Sequence, residues 1–414
     1  MAPAAQKQWF IMYAIPTVAD EMSKKFPNAS FTFSKVPLLS HLTVASNVAT
    51  PAGNIDYPFI AATDDCGFLL LCGYTVIGLT YYICDPLFRR TLGILPPDGG
   101  FNSRRTVGLI RNRRDKQVMV AQLNSWLFEN QRRITLSCTV NMCKWVKKEF
   151  LCDHIGDINR WRCDGVLSHE GFLWWFDLSF CILACNPFEG TPALYQIMFP
   201  DVPDAVPLAS FPFDGDIHRC LKVSQGSLRY VQIHGNAPEK LEVSMWKLSS
   251  NNPACAIWKK MHNVSLLDIW NHPKNHLKYN SMLPPGVVPT VALIDPMKAK
   301  RVYFFLGERI FYVNLETKRM NHCMELGNQE LPVLSSLMVH SWKVPVGATE
   351  IATENHLYGP DEFNAPGVHF LTLYDSVDDF LEKAIDVMSR SCPELFNMDL
   401  EECEEDEDDS EMME

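Results

Sequence analysis

Residues 171–188, GFLWWFDLSFCILACNPF, contain the two unbroken apolar runs that decide the fold. A short polar segment at residues 177–179 separates them. Each run is too short for a helix and carries aromatic or β-branched residues, and the stretch is bounded by Gly171 and by Asn186-Pro187. It therefore predicts two paired strands that are buried on both faces.

The same pattern occurs earlier in the chain. Three segments recur later in the chain, at offsets of 104, 101 and 104 residues. They are Gly67-Phe68-Leu69, Cys84-Asp85-Pro86 and Leu95-Pro96, which correspond to Gly171-Phe172-Leu173, Cys185-Asn186-Pro187 and Phe199-Pro200. A further unit fits between the copies, so the repeat period is near 52 residues. The other strand-like runs are residues 106–110, 117–123, 134–140, 226–231, 243–248, 256–258, 301–306 and 309–315, the last two joined by Gly307-Glu308.

Tandem all-β units of about 40 to 50 residues are typical of propeller blades, in which each four-stranded sheet packs both faces against its neighbours. A β-sandwich strand should alternate apolar and polar residues, and residues 172–176 do not. The sequence predicts an all-β propeller of about six blades, with a range of five to seven. Five blades fit between residues 58 and 325.

The chain ends are expected to close the ring, because an open propeller would expose a strand edge. Residues 7–18 and 31–44 are predicted to form strands, with Pro16 and Pro27-Asn28 as breaks, and to pair with residues 331–346, so the propeller spans residues 1–346. Residues 347–398 form an extension, with an amphipathic helix at 376–390 that packs on the propeller flank or on another protein. Residues 399–414 form an acidic, disordered tail.

Nine residues are predicted to be structural. The glycines occupy equivalent turns of their blades, and adjacent tryptophans of one strand point to opposite faces, toward the two neighbouring blades. The nine are Gly67, Gly171, Trp174, Trp175, Asn186, Pro187, Gly226, Trp246 and Trp270.

Charge is unevenly distributed along the chain. The formal net charge is -12, but residues 399–414 hold 11 acidic residues and no Lys or Arg, so the remainder is nearly neutral. Residues 89–148 hold 13 Lys and Arg against three acids. This segment favours a basic surface that pairs with acidic protein, including the chain's own tail; nucleic acid is the less favoured alternative. The possible anion-binding residues are Arg104, Arg105, Arg111, Arg113 and Arg114.

The cysteines indicate the compartment. Fourteen cysteines are irregularly spaced and mostly inside apolar runs, which is typical of a reducing interior where they act as small buried hydrophobes. The first thirty residues lack a secretory apolar core, and no window reaches eighteen apolar residues. We therefore expect an intracellular protein, cytoplasmic or nuclear, without a membrane segment.

The search for catalytic, cofactor-binding and metal-binding residues assigns none. His272 and His276 have helical spacing, but Pro273 lies between them. Cys181 and Cys185 share a strand face without the two-residue gap of a zinc or redox motif. Asp177 is expected to be a turn residue bonding its own backbone rather than a catalytic acid. No catalytic or phosphate-binding motif is present.

Several segments of the chain form one recognisable set. They are residues 171–188, HRCLKVSQGSLRYVQI at 218–233, VSMWKL at 243–248, residues 264–283 with Asp268-Ile269-Trp270, and VALIDPMKAKRVYFFLGERIFYVNL at 291–315. Together they resemble a grass-type plant family called domain of unknown function 1618, closely over residues 165–320. The resemblance implies a relative of the propeller-like domains that follow F-boxes, with no established activity, cofactor or site to carry over.

Two classes of function remain open. The preferred one is a non-catalytic protein-protein interaction module, monomeric and without a cofactor, because propellers present loop-lined faces and no catalytic set is found. The alternative is an enzyme of hydrolase type that uses the central channel. Convergence of three or more ionisable side chains at the channel mouth would favour catalysis.

Overall fold

The 25 strands of the described residues form six sheets, five of which have four strands each, in a computed structural model of the chain. In each four-stranded sheet the strands are neighbours in sequence order and antiparallel, which is the arrangement of a propeller blade. The predicted β-propeller is thus confirmed. The structure describes residues 8–19, 29–46, 48–49, 57–64, 67–75, 78–85, 90–97, 104–112, 114–115, 117–128, 131–140, 144–150, 161–202, 218–275, 287–326 and 334–344.

The strands follow one another blade by blade. The N-terminal strands are β1 Gln8–Tyr13, β2 Thr17–Ala19, β3 Ala29–Thr32 and β4 Leu39–Ala45. Blade 1 comprises β5 Phe59–Thr63, β6 Leu69–Thr75, β7 Gly78–Asp85 and β8 Arg90–Ile94, and blade 2 comprises β9 Val107–Arg111, β10 Val118–Phe128, β11 Gln131–Val140 and β12 Lys144–Lys148. Blade 3 comprises β13 Gly165–His169, β14 Phe172–Phe176, β15 Cys181–Cys185 and β16 Tyr195–Met198.

Blade 4 comprises β17 Arg219–Ser224, β18 Ser227–His234, β19 Glu242–Leu248 and β20 Trp258–Ser265, followed by the short helix α1, Leu266–Trp270. Blade 5 comprises β21 Thr290–Ile294, β22 Arg301–Leu306, β23 Arg309–Asn314 and β24 Arg319–Glu325, and the last strand is β25, Val339–Val344. Two 3₁₀ turns, Pro238–Lys240 and Pro253–Cys255, lie in blade 4.

The first four strands and the last strand, β25, form a sixth, five-stranded sheet, called here the closing blade. Strand β1 pairs antiparallel with β25, placing Phe10 opposite Trp342, as the ring-closure argument predicted. Each of the runs predicted at residues 7–18 and 31–44 is split in two; the break at Pro16 was predicted, whereas the break at Pro37 was not. Pro16 and Pro37 lie at the breaks, and proline cannot donate a ladder hydrogen bond. Strand β4 pairs parallel with β1 and β2 and antiparallel with β3.

The organising stretch forms the predicted hairpin of β14 and β15, with Trp174 opposite Ala184. Trp174 and Trp175 are both fully buried. Trp175 packs in the core shared with blade 2, where its indole donates to the Thr106 carbonyl at 2.7 Å. Trp174 packs against Tyr230 and other residues of blade 4. The two rings therefore stabilise opposite interfaces of the same blade.

The three repeat glycines share one backbone position. Gly67, Gly171 and Gly226 all have positive φ, at 99°, 82° and 69°, in the turn between the first and second strand of their blades. In blades 3 and 4 the turn has two residues, and the residue before the glycine, Glu170 or Gln225, also has positive φ. This is the turn geometry that matches the twist of a two-stranded hairpin.

The other motif residues occupy turns and blade interfaces. The Asn186 side chain accepts a hydrogen bond from the Phe188 amide at 3.1 Å and so stabilises the turn that contains Pro187. Trp246 is buried in β19, with its ring 5.5 Å from that of Tyr230. Trp270, in α1, packs half-buried against blade 5.

The first strand of each of blades 1 to 5, together with β25, contacts its neighbours in a closed ring. These six are called the inner strands; they surround the central channel. Because the inner strands of a propeller run in the same direction along the channel, their starts lie at one end of it. That end holds the candidate site.

Some predictions lie outside the described residues. They concern the C-terminal extension with its helix at 376–390, the acidic tail at 399–414, and the side chains of Arg113 and His276. The described residues all belong to one unit, Met1–Gly359. Among them, no helix is long and apolar enough to cross a membrane.

Candidate functional site

The structure brings together only some of the arginines proposed for anion binding. Arg104 and Arg105 lie just before β9, at the start of an inner strand, whereas Arg111 is the last residue of β9. Six residues of extended chain span roughly 20 Å, so Arg111 lies near the other end of the channel. Arg114 is exposed in the turn that follows.

Arg104 and Arg105 are held by the starts of neighbouring inner strands. The Arg104 guanidinium lies 3.8 Å from the ring centre of Tyr57 and donates to its carbonyl at 2.9 Å. Arg105 donates to the Asp164 carbonyl at 3.2 Å. Burial lowers the pKa of Arg105, although the Asp164 carboxylate opposes this shift. Both guanidinium groups are thus fixed at the same end of the channel.

Two further cations come from β17 in blade 4. Arg219, its first residue, donates to the Leu178 carbonyl at 3.1 Å. Lys222 is only 6% exposed, and its Nζ donates to the carbonyl of Val339, the first residue of β25, at 2.8 Å. Burial lowers the pKa of this ammonium group. Among the described residues, no carboxylate forms an ion pair with Lys222.

His340 lies beside Lys222 and completes the cluster. Its Nε2 is 2.8 Å from the Ile60 carbonyl, which can only accept, so Nε2 carries the proton. Burial and the neighbouring Lys222 lower the pKa of His340 to about 3, and Arg105 acts in the same direction. The ring is therefore neutral at physiological pH. We call Arg104, Arg105, Arg219, Lys222 and His340 the channel mouth.

A short segment before β25 packs into this end of the channel. Ser335, Ser336, Leu337 and Met338 are all buried. The Ser336 hydroxyl donates to the Arg219 carbonyl at 2.7 Å, and Leu337 packs with the Trp174 cluster. The channel mouth is thus lined by packed chain, which restricts access to it.

The nearby carboxylates are engaged by the backbone. Asp164 accepts from the Leu178 amide at 2.7 Å. Asp177 accepts from the Arg162 amide at 2.7 Å and from the Ser179 amide at 2.9 Å, and also from the Ser179 hydroxyl. Asp177 therefore stabilises the hairpin turn. The four permanent cations of the channel mouth outnumber these acids, which makes the local potential positive.

The remaining sequence candidates provide no catalytic or metal-binding group in the part of the chain that is described. No group of three His, Cys, Asp or Glu there could hold a metal ion. Burial raises the pKa of Cys181 to about 12 and that of Cys138 to about 11. Thiols of this kind stay protonated and are poor nucleophiles.

Sequence reasoning missed Arg219, Lys222 and His340. The available signal was a lysine inside an apolar strand, Lys222 in RCLKVS. The sequence pattern does not show whether such a side chain reaches the channel, a blade interface or solvent.

Comparisons with known proteins add a family match but no activity. Residues 175–304, from β14 to β22, match the family described as "Protein of unknown function (DUF1618)". This match supports the resemblance to a family of unknown function. The comparison with curated proteins gives no match.

The solved structures that match this chain are distant from it. A nidogen/laminin complex chain is 11% identical with a TM-score of 0.38, covering 77% of this chain and 94% of that chain. The Cps50 (Swd1) β-propeller domain of Myceliophteria thermophila is 10% identical with a TM-score of 0.31, covering 66% and 87%. An α-L-arabinanase from Penicillium chrysogenum is 13% identical with a TM-score of 0.31, covering 65% and 80%. No function follows from similarities this low.

Proposed function

We propose that the protein is a non-catalytic interaction module that binds an acidic segment of a partner protein at the channel mouth. The observation that supports this is Lys222, a buried cation without a carboxylate partner among the described residues. Burying an ammonium group without a counter-charge is unfavourable, so an anionic partner would stabilise it. Arg219 and Arg105 lie on neighbouring parts of the same end.

The arrangement of donors supports binding rather than turnover. Lys222 and His340 each donate to a backbone carbonyl of another blade, so both groups have structural partners. The segment from Ser335 to Met338 is buried at the same end of the channel. An acidic side chain approaching from outside would meet the guanidinium groups first.

The test measures the anisotropy of a fluorescein-labelled peptide of eight glutamates on the full chain at low salt. We expect Lys222→Met and Arg219→Gln each to weaken binding about 5- to 10-fold, and added salt to weaken the wild type. Lys259→Met, a change of an exposed lysine in β20, is the matched control. Equal affinity of all four proteins would refute the proposal.

The same assay separates protein from nucleic acid. A labelled single-stranded oligonucleotide of equal charge is compared with the peptide. Tighter, Lys222-dependent binding of the oligonucleotide would identify a nucleic acid as the partner and overturn the acidic-protein assignment.

A second candidate function is catalysis in the channel, favoured by one observation. Arg105, Lys222 and His340 converge, so three ionisable side chains lie together at the channel mouth. A panel of chromogenic esters and glycosides tests this alternative. Turnover that His340→Gln abolishes, while Lys259→Met leaves it intact, would support an enzyme.

The cellular location is part of the proposal. All nine cysteines with described side chains are free thiols, and most are buried. This supports a reducing interior, cytoplasmic or nuclear, as the place where the partner is met.

A further inference from the structure

A second candidate site lies away from the channel mouth, between the closing blade and blade 5. A cavity of about 220 Å³ is bordered by Trp9 of β1, by Pro37, and by Tyr303 and Tyr312 of blade 5. Asp295, directly after β21, also borders it and marks the end of an inner strand opposite to the channel mouth. The cavity is therefore independent of the channel mouth.

Aromatic rings form much of the cavity wall. Trp9 contacts Tyr303 edge to face, with ring centres 5.9 Å apart. Tyr303 and Tyr312 are 5.4 Å apart, and His322 stacks on Tyr312. Rings at such angles give flat apolar surfaces against which a planar group packs well.

Arg301 is oriented at this wall by two neighbours. Its Nη1 is 4.0 Å from Asp295 Oδ2, and its guanidinium lies 4.8 Å from the ring centre of Tyr312. These distances exceed that of a hydrogen bond, and among the described residues no acceptor takes a hydrogen bond from this guanidinium. The side chain is 29% exposed, so its fork of N–H donors is available to a ligand.

Asp295 is held in place by the backbone and lies next to the Arg301 guanidinium. Its Oδ1 accepts from the Met297 and Lys298 amides at 2.8 and 2.9 Å, while Oδ2 faces Arg301 and the Tyr303 hydroxyl. Burial raises the pKa of Asp295. With Lys298 exposed at the rim, the fixed charges of Asp295, Arg301 and Lys298 leave one net positive charge for a ligand to balance.

We propose that this cavity binds a small aromatic carboxylate, with the carboxylate on the Arg301 fork and the ring against Trp9 and Tyr303. A planar carboxylate matches the guanidinium geometry in a bidentate way. A dianionic phosphate fits less well, because the Asp295 carboxylate would repel the second charge. The volume is below the 300–1,000 Å³ typical of pockets for larger ligands, which suits a single ring.

The test uses three probes that share one ring and differ in charge: benzoate, benzamide and benzylamine. Ligand-observed saturation-transfer NMR on the full-length protein gives their dissociation constants, with roughly millimolar affinity expected for benzoate. We expect benzoate to bind at least 10-fold tighter than benzylamine, with benzamide in between. Equal or tighter binding of benzylamine would overturn the assignment, as would absence of benzoate binding.

Variants locate the probe. Arg301→Met should weaken benzoate binding at least 10-fold, and Arg301→Lys, which keeps the charge but loses the fork, should weaken it less. Arg309→Met is the matched control, because Arg309 lies in the same blade and pairs with Glu325 outside the cavity. If Arg301→Met does not fold, Arg301→Lys and Trp9→Leu replace it. Unchanged benzoate affinity in folded Arg301 and Trp9 variants would refute the site.

Discussion

Trp174 and Trp175 in blade 3 and Lys222 at the channel mouth are all buried, yet burial has opposite effects on their contributions to stability. In blade 3, Trp174 and Trp175 have no exposed surface and pack apolar rings into two interfaces, with each indole N–H bonded to a carbonyl. At the channel mouth, Lys222 is almost as buried but is charged. Burial of the tryptophans stabilises the folded state, whereas burial of the charged lysine destabilises it.

This difference separates residues that stabilise the fold, such as the blade 3 tryptophans, from Lys222, which lowers its stability. An apolar interface contributes free energy of folding directly, at roughly 25 cal/mol for each Å² removed from water. A buried cation without a counter-charge subtracts from stability, so its presence points to a role other than folding.

Trp175→Ala should lower the free energy of unfolding by about 3 to 5 kcal/mol, because it leaves a cavity between blades 2 and 3 and removes the hydrogen bond to Thr106. Urea unfolding followed by circular dichroism measures this. Ile257→Ala, at a position 68% exposed, is the control and should change stability by less than about 0.5 kcal/mol. Similar small effects at both positions would contradict the assignment of Trp175 to the core.

Asp177→Ala should destabilise the chain by about 1 to 3 kcal/mol, since two backbone amides and one hydroxyl lose their acceptor in the β14–β15 turn. Asp177→Asn keeps one side-chain oxygen and should have a smaller effect. Thermal melting of the two variants compares them. A larger loss in the Asn variant would show that the turn is stabilised in another way.

His340 should make stability depend on pH at the channel mouth. Its pKa is about 3 in the folded chain, below the ordinary value of 6.5, so the unfolded chain binds the proton more readily. The contribution is complete above pH 6.5 and is lost as pH falls toward 3, by about 1 to 2 kcal/mol between pH 6.5 and 5. His340→Gln should flatten this part of the curve, measured by urea unfolding at several pH values. Parallel curves for both proteins would contradict the assignment.

Lys222→Met should have the smallest effect on stability and the opposite sign, from zero to about 1 kcal/mol of stabilisation, because it replaces a buried cation by an apolar side chain of similar length. The same variant should lose affinity for the glutamate peptide. Lys259→Met should change neither property. A strong destabilisation by Lys222→Met would mean that its bond to the Val339 carbonyl is structural rather than a tolerated cost.

The local pattern of residues 171–188 was sufficient for the hairpin, and the 104-residue repeat was sufficient for the propeller. A strand that is buried on both faces has apolar residues at successive positions, and this pattern is visible in the sequence of residues 172–176. The predicted closure by the chain ends follows from the same logic, because an unpaired edge must be covered. The sequence predicted the break at Pro16, but the break at Pro37 was not predicted, because apolar residues lie on both sides of that proline.

The candidate site depended on tertiary structure. Arg104 and Arg105 stand out in a basic segment, but Arg219, Lys222 and His340 come from strands far apart in sequence. They meet only because ring closure brings the start of β25 next to the starts of β5 and β17. An isolated charged residue in an apolar strand indicates that its side chain needs a polar partner or contact with water. Only the curvature of the ring decides that the accommodating group is the carbonyl of another blade and that the charges gather at one end of the channel.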